Sequence, residues 1–305
     1  MEIRKRIVPI DSLGRPVTRV GEKEFIFFKV KFNSFRDVSG STANEVLDKE
    51  EWDECECCLQ LPESYSETGE KAPLAIFCHG SGSRVCEKDN HVGGVVQLSC
   101  CVDAGYAALD INGSVPDGVS LGCPEHVFAL YQAYKYVIKH YNISEKVYLA
   151  GGSMGGETAV NFANTFPSLV LTMGLFYPRL NVDGADVRGH HCIGSWEKPT
   201  QIDRVRQIYR FPTDEWCDKN ICGFNPYKSR SFVNCDGQRV LFPPCPVKVW
   251  QGLADTVVDP VMTEEYVESV RRSGSYIEYH AIEGVGHTTT NAMRQELCLW
   301  FNRFR

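Results

Sequence analysis

Two serines sit in the pattern G-x-S-x-G: Gly118-Val119-Ser120-Leu121-Gly122 and Gly151-Gly152-Ser153-Met154-Gly155. A serine hydroxyl is a weak nucleophile until a base takes its proton. The pattern acquires meaning where a strand runs straight into the turn and a helix leaves it. That geometry lifts the serine into an exposed, strained position, and small neighbours relieve the crowding. Residues 147–150 read as such a strand before Ser153, and residues 155–166 as the helix after it. Ser120 lies between Pro116 and Pro124 in a turn-rich loop that no strand feeds, so its reading is loop geometry. Ser153 is the candidate nucleophile.

Eight histidines are available as the base. His287 follows the last strand pattern in Gly284-Val285-Gly286-His287-Thr288, where a loop can hang an imidazole over the end of a sheet. His280 lies inside that strand and is read as packing, while His190 and His191 fall in an insertion. The imidazole needs a carboxylate to fix its tautomer and to stabilise the imidazolium. Asp255 and Asp259 both follow the strand pattern that ends at Trp250. Asp259 precedes Pro260 and reads as a helix N-cap with proline at the first helical position, which leaves Asp255 to orient the base. Charge developing on a substrate oxygen needs fixed N–H donors. The Met154 amide, at a helix start, supplies one. The second is expected from His79-Gly80-Ser81-Gly82-Ser83, from Ser81 with Gly82 as the alternative, although Ser81 and Ser83 also read as plain turn residues.

These residues must be positioned by a framework. From about residue 74 onward, short apolar runs of β-forming residues alternate with longer helical stretches. Strand patterns cover 73–78, 106–111, 146–150, 169–176, 246–250 and 276–282. Helical patterns cover 92–104, 125–141, 155–166, 260–272 and 291–304. Buried strands alternating with helices predict a mostly parallel sheet covered on both faces. Residues 25–32 and 54–61 read as an antiparallel edge preceding it. The rhythm breaks across residues 178–245, and a loop of that length in a compact domain calls for a function. It is expected to be a cap or lid within a single domain of residues 1–305. Its Trp196, Tyr209 and Trp216, with Gly82, are the candidate substrate contacts; Phe211, Phe224 and Tyr227 could join them or form a small satellite core.

Composition bounds the rest. The chain has 305 residues, 43% of them hydrophobic and 23% charged, with a formal charge of -7. An acidic chain whose most basic early run is Arg4-Lys5-Arg6 does not read as a nucleic-acid binder. No apolar run is long enough for a membrane span and no secretory leader is visible, so a cytoplasmic protein is expected, a mature secreted form being the alternative. Fourteen cysteines are many, but no Cys/His quartet has zinc-finger or zinc-ribbon spacing. They read as buried thiols in a reducing compartment, with Cys192, Cys217, Cys222 and Cys235 the best disulfide candidates. Neither a metal nor another cofactor is expected, and the sequence does not give the oligomeric state.

From Leu74 to the C-terminus, His79-Gly80, the turn from Gly151 to Gly155, Gly252-x-x-Asp255 and Gly286-His287 resemble the α/β-hydrolase superfamily, in its order of nucleophile, acid and base. Asp110-Ile111-Asn112-Gly113 resembles the superfamily's D-x-R-G loop, with Asn112 in place of the usual arginine. Within the superfamily the chain looks most like bacterial acyl esterases of the feruloyl and acetyl-xylan esterase groups, and like the catalytic domains of prolyl-oligopeptidase-like proteins. The resemblance implies an α/β-hydrolase fold and hydrolysis of a small-molecule carboxylic ester through an acyl-enzyme, on aromatic (feruloyl or cinnamoyl) or short acyl groups. A peptidase acting on short peptides is the second reading; the roughly 70 residues before Leu74 are too few for the propeller domain that such peptidases usually carry. A receptor that keeps the fold without catalysis is the third.

Overall fold

The computed structural model describes residues 18–21, 23–33, 52–112, 120–181 and 224–305. The chain opens with β1 (Thr18–Val20), β2 (Lys23–Asn33) and β3 (Trp52–Gln60), then β4 (Ala72–Cys78). After two short strands, β5 (Val85–Cys86) and β6 (His91–Val92), a 3-10 turn at Gly93–Leu98 runs into α1 (Ser99–Asp103). Next come β7 (Ala107–Ile111), α2 (Pro124–His140), β8 (Ile143–Gly152), α3 (Met154–Thr165) and β9 (Val170–Phe176). A hairpin of β10 (Ser231–Val233) and β11 (Arg239–Leu241) precedes β12 (Val247–Gly252), α4 (Pro260–Arg271), β13 (Ile277–Ile282) and α5 (Asn291–Asn302).

Among the described residues, nine strands form one sheet in the order β1-β2-β3-β7-β4-β8-β9-β12-β13. Pairing is antiparallel from β1 through β7 and parallel from β7 to β13. The middle strands are apolar on both sides because both sides are covered. Leu74, Ile76, Leu109, Val147 and Leu149 face α2, α3 and α4. Phe77, Tyr148, Phe176 and Trp250 face the 3-10 turn, α1 and α5, where Trp300 and Phe301 complete the layer. Asp259 accepts from the Val261 amide at 3.0 Å and caps α4, as its place before Pro260 requires. In α2 the residues Val127, Leu130, Tyr134 and Val137 are buried, one stripe at helical spacing.

Residues 178–181 and 224–245 of the expected insertion are among the described residues. Trp196, Tyr209, Phe211 and Trp216 lie outside the described residues, as do His190, His191, Cys192, Cys217 and Cys222. The end of the span belongs to the main core: Tyr227, Leu241 and Cys245 are buried in the same cluster as Tyr266 and Val267 of α4. Cys55, Cys57 and Cys58 are buried in β3 and Cys235 is exposed, all as free thiols. Burial pushes the thiols of Cys57, Cys58 and Cys78 up, so they behave as small apolar side chains. His280 departs from its expected packing role: it is exposed and meets Glu296 at 3.2 Å.

Candidate active site

Parallel strands that share a direction deliver their ends to one edge of the sheet, and β4 is where the chain reverses its order of strand addition. The edge therefore collects His79 after β4, Ser153 after β8, Tyr177 after β9, Asp255 after β12 and His287 after β13.

Ser153 lies between β8 and α3 with φ 55° and ψ -125°. A non-glycine residue pays on the order of 1–3 kcal/mol for such a conformation, and it persists only where the surroundings impose it. The imposition is visible. The Ser153 amide donates to the Phe176 carbonyl at 3.0 Å, and its own carbonyl accepts from the Gly156 and Arg179 amides, each at 2.9 Å. Side chains are excluded on both flanks: a Cβ on Gly155 would collide with the Cys78 carbonyl, and one on Gly151 with the Gly155 carbonyl. The second pattern fails this test. Ser120 is fully buried, its Oγ meets no hydrogen-bond partner among the described residues, and its carbonyl closes a turn onto the Cys123 amide.

His287 Nε2 is 2.9 Å from Ser153 Oγ, and its Nδ1 is 2.8 Å from Asp255 Oδ2. A carboxylate only accepts, so Nδ1 carries the proton of the neutral ring and Nε2 is left to accept from the serine hydroxyl. Asp255 is held in turn: its Oδ1 accepts from the Val257 and Val258 amides at 2.8 and 3.0 Å, and Gln251 Nε2 reaches Oδ2 at 3.3 Å. Thr263 Oγ1 donates to Gln251 Oε1 at 2.8 Å and fixes that amide. Burial raises the Asp255 pKa, but the hydrogen bonds from His287, Val257 and Val258 outweigh it and hold the carboxyl below its ordinary value.

A cavity of about 400 Å³ opens at this point, and Ser153, His287, Met154, Ser81 and Gly82 all line it. Met154 begins α3, so its amide is among the helix-terminal donors without an intrahelical acceptor. Ser81 is exposed inside a turn closed by the Ser83 amide on the Gly80 carbonyl at 3.1 Å. The expected site residues among those described thus meet at one cavity, with Asp255 standing behind His287.

Other residues there carried weaker sequence signals. Tyr177 packs against the His287 ring, tilted by 56° with 4.4 Å between centroids, and its hydroxyl pairs with Thr289 Oγ1 at 2.6 Å. Its φ of 36° is invisible in a sequence. Arg179 also lines the cavity and binds both oxygens of Glu157 from Nη1, at 2.9 and 3.1 Å, with both side chains almost wholly buried. An apolar strand running into Tyr-Pro-Arg just after α3 is the signal that could have drawn attention to both. Among the described residues, no three His, Cys, Asp or Glu side chains group as a metal site would require. No helix among them is long and apolar enough to cross a membrane.

No family model matches the chain, and no curated protein sequence is significantly similar to it. Solved structures are similar in shape. A puromycin-hydrolysing peptidase from Mycobacterium tuberculosis aligns over 83% of this chain and 37% of its own, with 16% identity and a TM-score of 0.60. An acylaminoacyl peptidase from Pyrococcus horikoshii aligns over 92% of this chain and 41% of its own, with 14% identity and a TM-score of 0.59. Esterase Est2 from Thermogutta terrifontis aligns over 83% of this chain and 87% of its own, with 17% identity and a TM-score of 0.56. The chain thus spans less than half the length of these two peptidases and most of that of the esterase. With the sheet order and the edge on which the candidate residues gather, these likenesses show that the chain has the α/β-hydrolase fold.

Proposed function

We propose that this chain is a serine hydrolase that cleaves small carboxylic esters through an acyl-enzyme, with Ser153 as nucleophile, His287 as base and Asp255 orienting it. One observation carries the reading: an unbroken relay from Ser153 Oγ through His287 to Asp255, with steps of 2.9 and 2.8 Å, at a strained turn facing a cavity. Ser153 Oγ attacks the carbonyl carbon as its proton passes to His287 Nε2. The imidazolium is stabilised by Asp255, and the developing oxyanion by the Met154 and Ser81 amides, each donor being worth on the order of 10²–10³ in turnover. His287 then protonates the departing alcohol. A water molecule, deprotonated by the same nitrogen, releases the acid and restores Ser153.

Phe77 and Tyr177 give the cavity aromatic wall, which supports aromatic acyl groups such as hydroxycinnamates alongside short acyl chains. Gly82 adds backbone beside the Ser81 donor. Trp196, Tyr209 and Trp216, outside the described residues, complete the proposed substrate contacts. The partner is a small-molecule ester rather than a nucleic acid or a membrane, and the proposed setting is cytoplasmic.

A peptidase reading rests on the likeness to two peptidase structures, because the same relay cleaves an amide once the leaving nitrogen is protonated. Methyl hydroxycinnamates, p-nitrophenyl esters and aminoacyl arylamides should be compared at equal concentration. The ester reading predicts turnover of the esters at least about a hundredfold above the arylamides, a gap of about 2.7 kcal/mol in barrier. Preference for the arylamides would transfer the assignment to peptide bonds.

A further inference from the structure

The loop that carries Ser81 and Gly82 leaves β4 at His79 and ends in the 3-10 turn, whose second residue is Gly94. One carboxylate oxygen holds both ends. Asp110 Oδ2 accepts from His79 Nδ1 at 2.7 Å and from the Gly94 amide at 2.6 Å, while Oδ1 takes the Ile111 amide at 2.8 Å. Two residues on, Asn112 Oδ1 accepts from the Val85 amide in the middle of the loop, at 3.0 Å. This accounts for asparagine where the related loop usually has arginine: a short acceptor is needed there. The fit is tight, since a Cβ on Gly93 would collide with Asp110 Oδ2 and one on Gly80 would press on Ser153 Cβ at 3.3 Å. His79 and Asp110 are each about 95% or more buried, and His79 lines the cavity.

We infer that His79 and Asp110 form a clasp that sets the position of the Ser81 and Gly82 amides against Ser153, acting as positioning residues rather than as a second base. The inference rests on the hydrolase reading for its kinetic consequence, but not for its structural one. Burial disfavours the His79 imidazolium, yet the charge and hydrogen bond of Asp110 outweigh it and raise the pKa above the ordinary value. The pair therefore stays locked instead of offering a free nitrogen at Nδ1. A buried pair of this kind is poor evidence for stability but well suited to selecting one loop geometry.

The test compares His79→Leu, which removes the Nδ1 donor, with His79→Asn, which keeps a donor at that position. Three readouts are taken: steady-state kinetics on an aryl ester, affinity for an aryl trifluoromethyl ketone, and backbone hydrogen exchange across residues 80–94. His79→Leu should lose about a hundredfold in kcat with KM within about threefold, as for a misplaced oxyanion donor. Affinity for an aryl trifluoromethyl ketone, which mimics the tetrahedral state, should fall in parallel, and exchange in the loop should accelerate. His79→Asn should recover kcat to within about tenfold of wild type. If His79→Leu is unfolded by circular dichroism, Asp110→Asn takes its place with the same expected losses. A kcat within threefold of wild type, a change confined to KM, failure of asparagine to rescue, or unchanged exchange would each overturn the clasp. Wild-type protein without esterase activity would instead point to failure of the hydrolase reading, and the exchange measurement would still decide the clasp.

Discussion

His126 stands in the first turn of α2 with 5% of its surface exposed, and its Nδ1 meets no hydrogen-bond partner among the described residues. Burial, reinforced by the charge of His79, pushes its pKa down from 6.5 to about 3. A helix N-terminus is also a poor place for a cation. The folded protein therefore keeps this imidazole neutral, while the unfolded chain protonates it below pH 6.5. Stability is full above the unfolded value and drains as the pH falls through it. Between about pH 7.5 and pH 5 the loss from this residue alone is about 2 kcal/mol, approaching a limiting slope of about 1.4 kcal/mol per pH unit below that. His126→Phe conserves shape and removes the titration, so wild type minus variant isolates the residue. Urea unfolding at a series of pH values should show wild type losing about 2 kcal/mol more than His126→Phe over that interval. Parallel stability curves for the two proteins would refute the reasoning, since they would mean that His126 is already protonated in the fold or finds a partner there.

Three further outcomes follow from the site. Gly155→Ala should abolish activity and lower thermal stability, because its Cβ would meet the backbone carbonyl of Cys78 and no flexible side chain can give way; full activity would contradict the close fit of the turn. Tyr177→Phe removes the 2.6 Å bond to Thr289 but keeps the ring against His287. It should cost about 1 kcal/mol of stability and less than tenfold in kcat, whereas Tyr177→Ala should cost more in both, measured by thermal melting and ester turnover. Glu157→Gln takes the carboxylate charge away from the buried Arg179 and should destabilise by about 3–5 kcal/mol in denaturant titration; a loss below about 1 kcal/mol would contradict the expectation that this pair is needed to hold Arg179 in the fold.

Much of this site is legible in the sequence because its parts are announced by backbone requirements. Gly151 and Gly155 report a turn with no room for side chains on either flank of Ser153, and Asp259-Pro260 reports a helix start, which separates Asp259 from Asp255. Strand and helix limits fall within a few residues of their expected places because alternating apolar runs have few other ways to be buried. Tyr177 is less legible: its contact with His287 depends on a positive φ and on a partner far along the chain. Asp110 can be noticed as part of a loop pattern, but not as the residue that ties His79 to Gly94, since that pairing exists only after β4 and β7 lie side by side. His280 escapes the packing expected of it because an edge strand buries only part of its length; among the described residues β13 has the single neighbour β12, and its His280 reaches solvent. Residues 178–245 show the limit of pattern reading: a lid is expected across the span, and among its described residues Tyr227, Leu241 and Cys245 are buried with the main core.

The central claim is that Ser153 is the nucleophile, and covalent trapping tests it most directly. The protein should be treated with an alkyl fluorophosphonate, digested, and mapped by mass spectrometry. One phosphonyl group on Ser153, absent from His287→Ala treated alike, is the result expected if the imidazole at 2.9 Å activates that hydroxyl. Label on Ser120 or another residue, or label on Ser153 that survives loss of His287, would contradict the account.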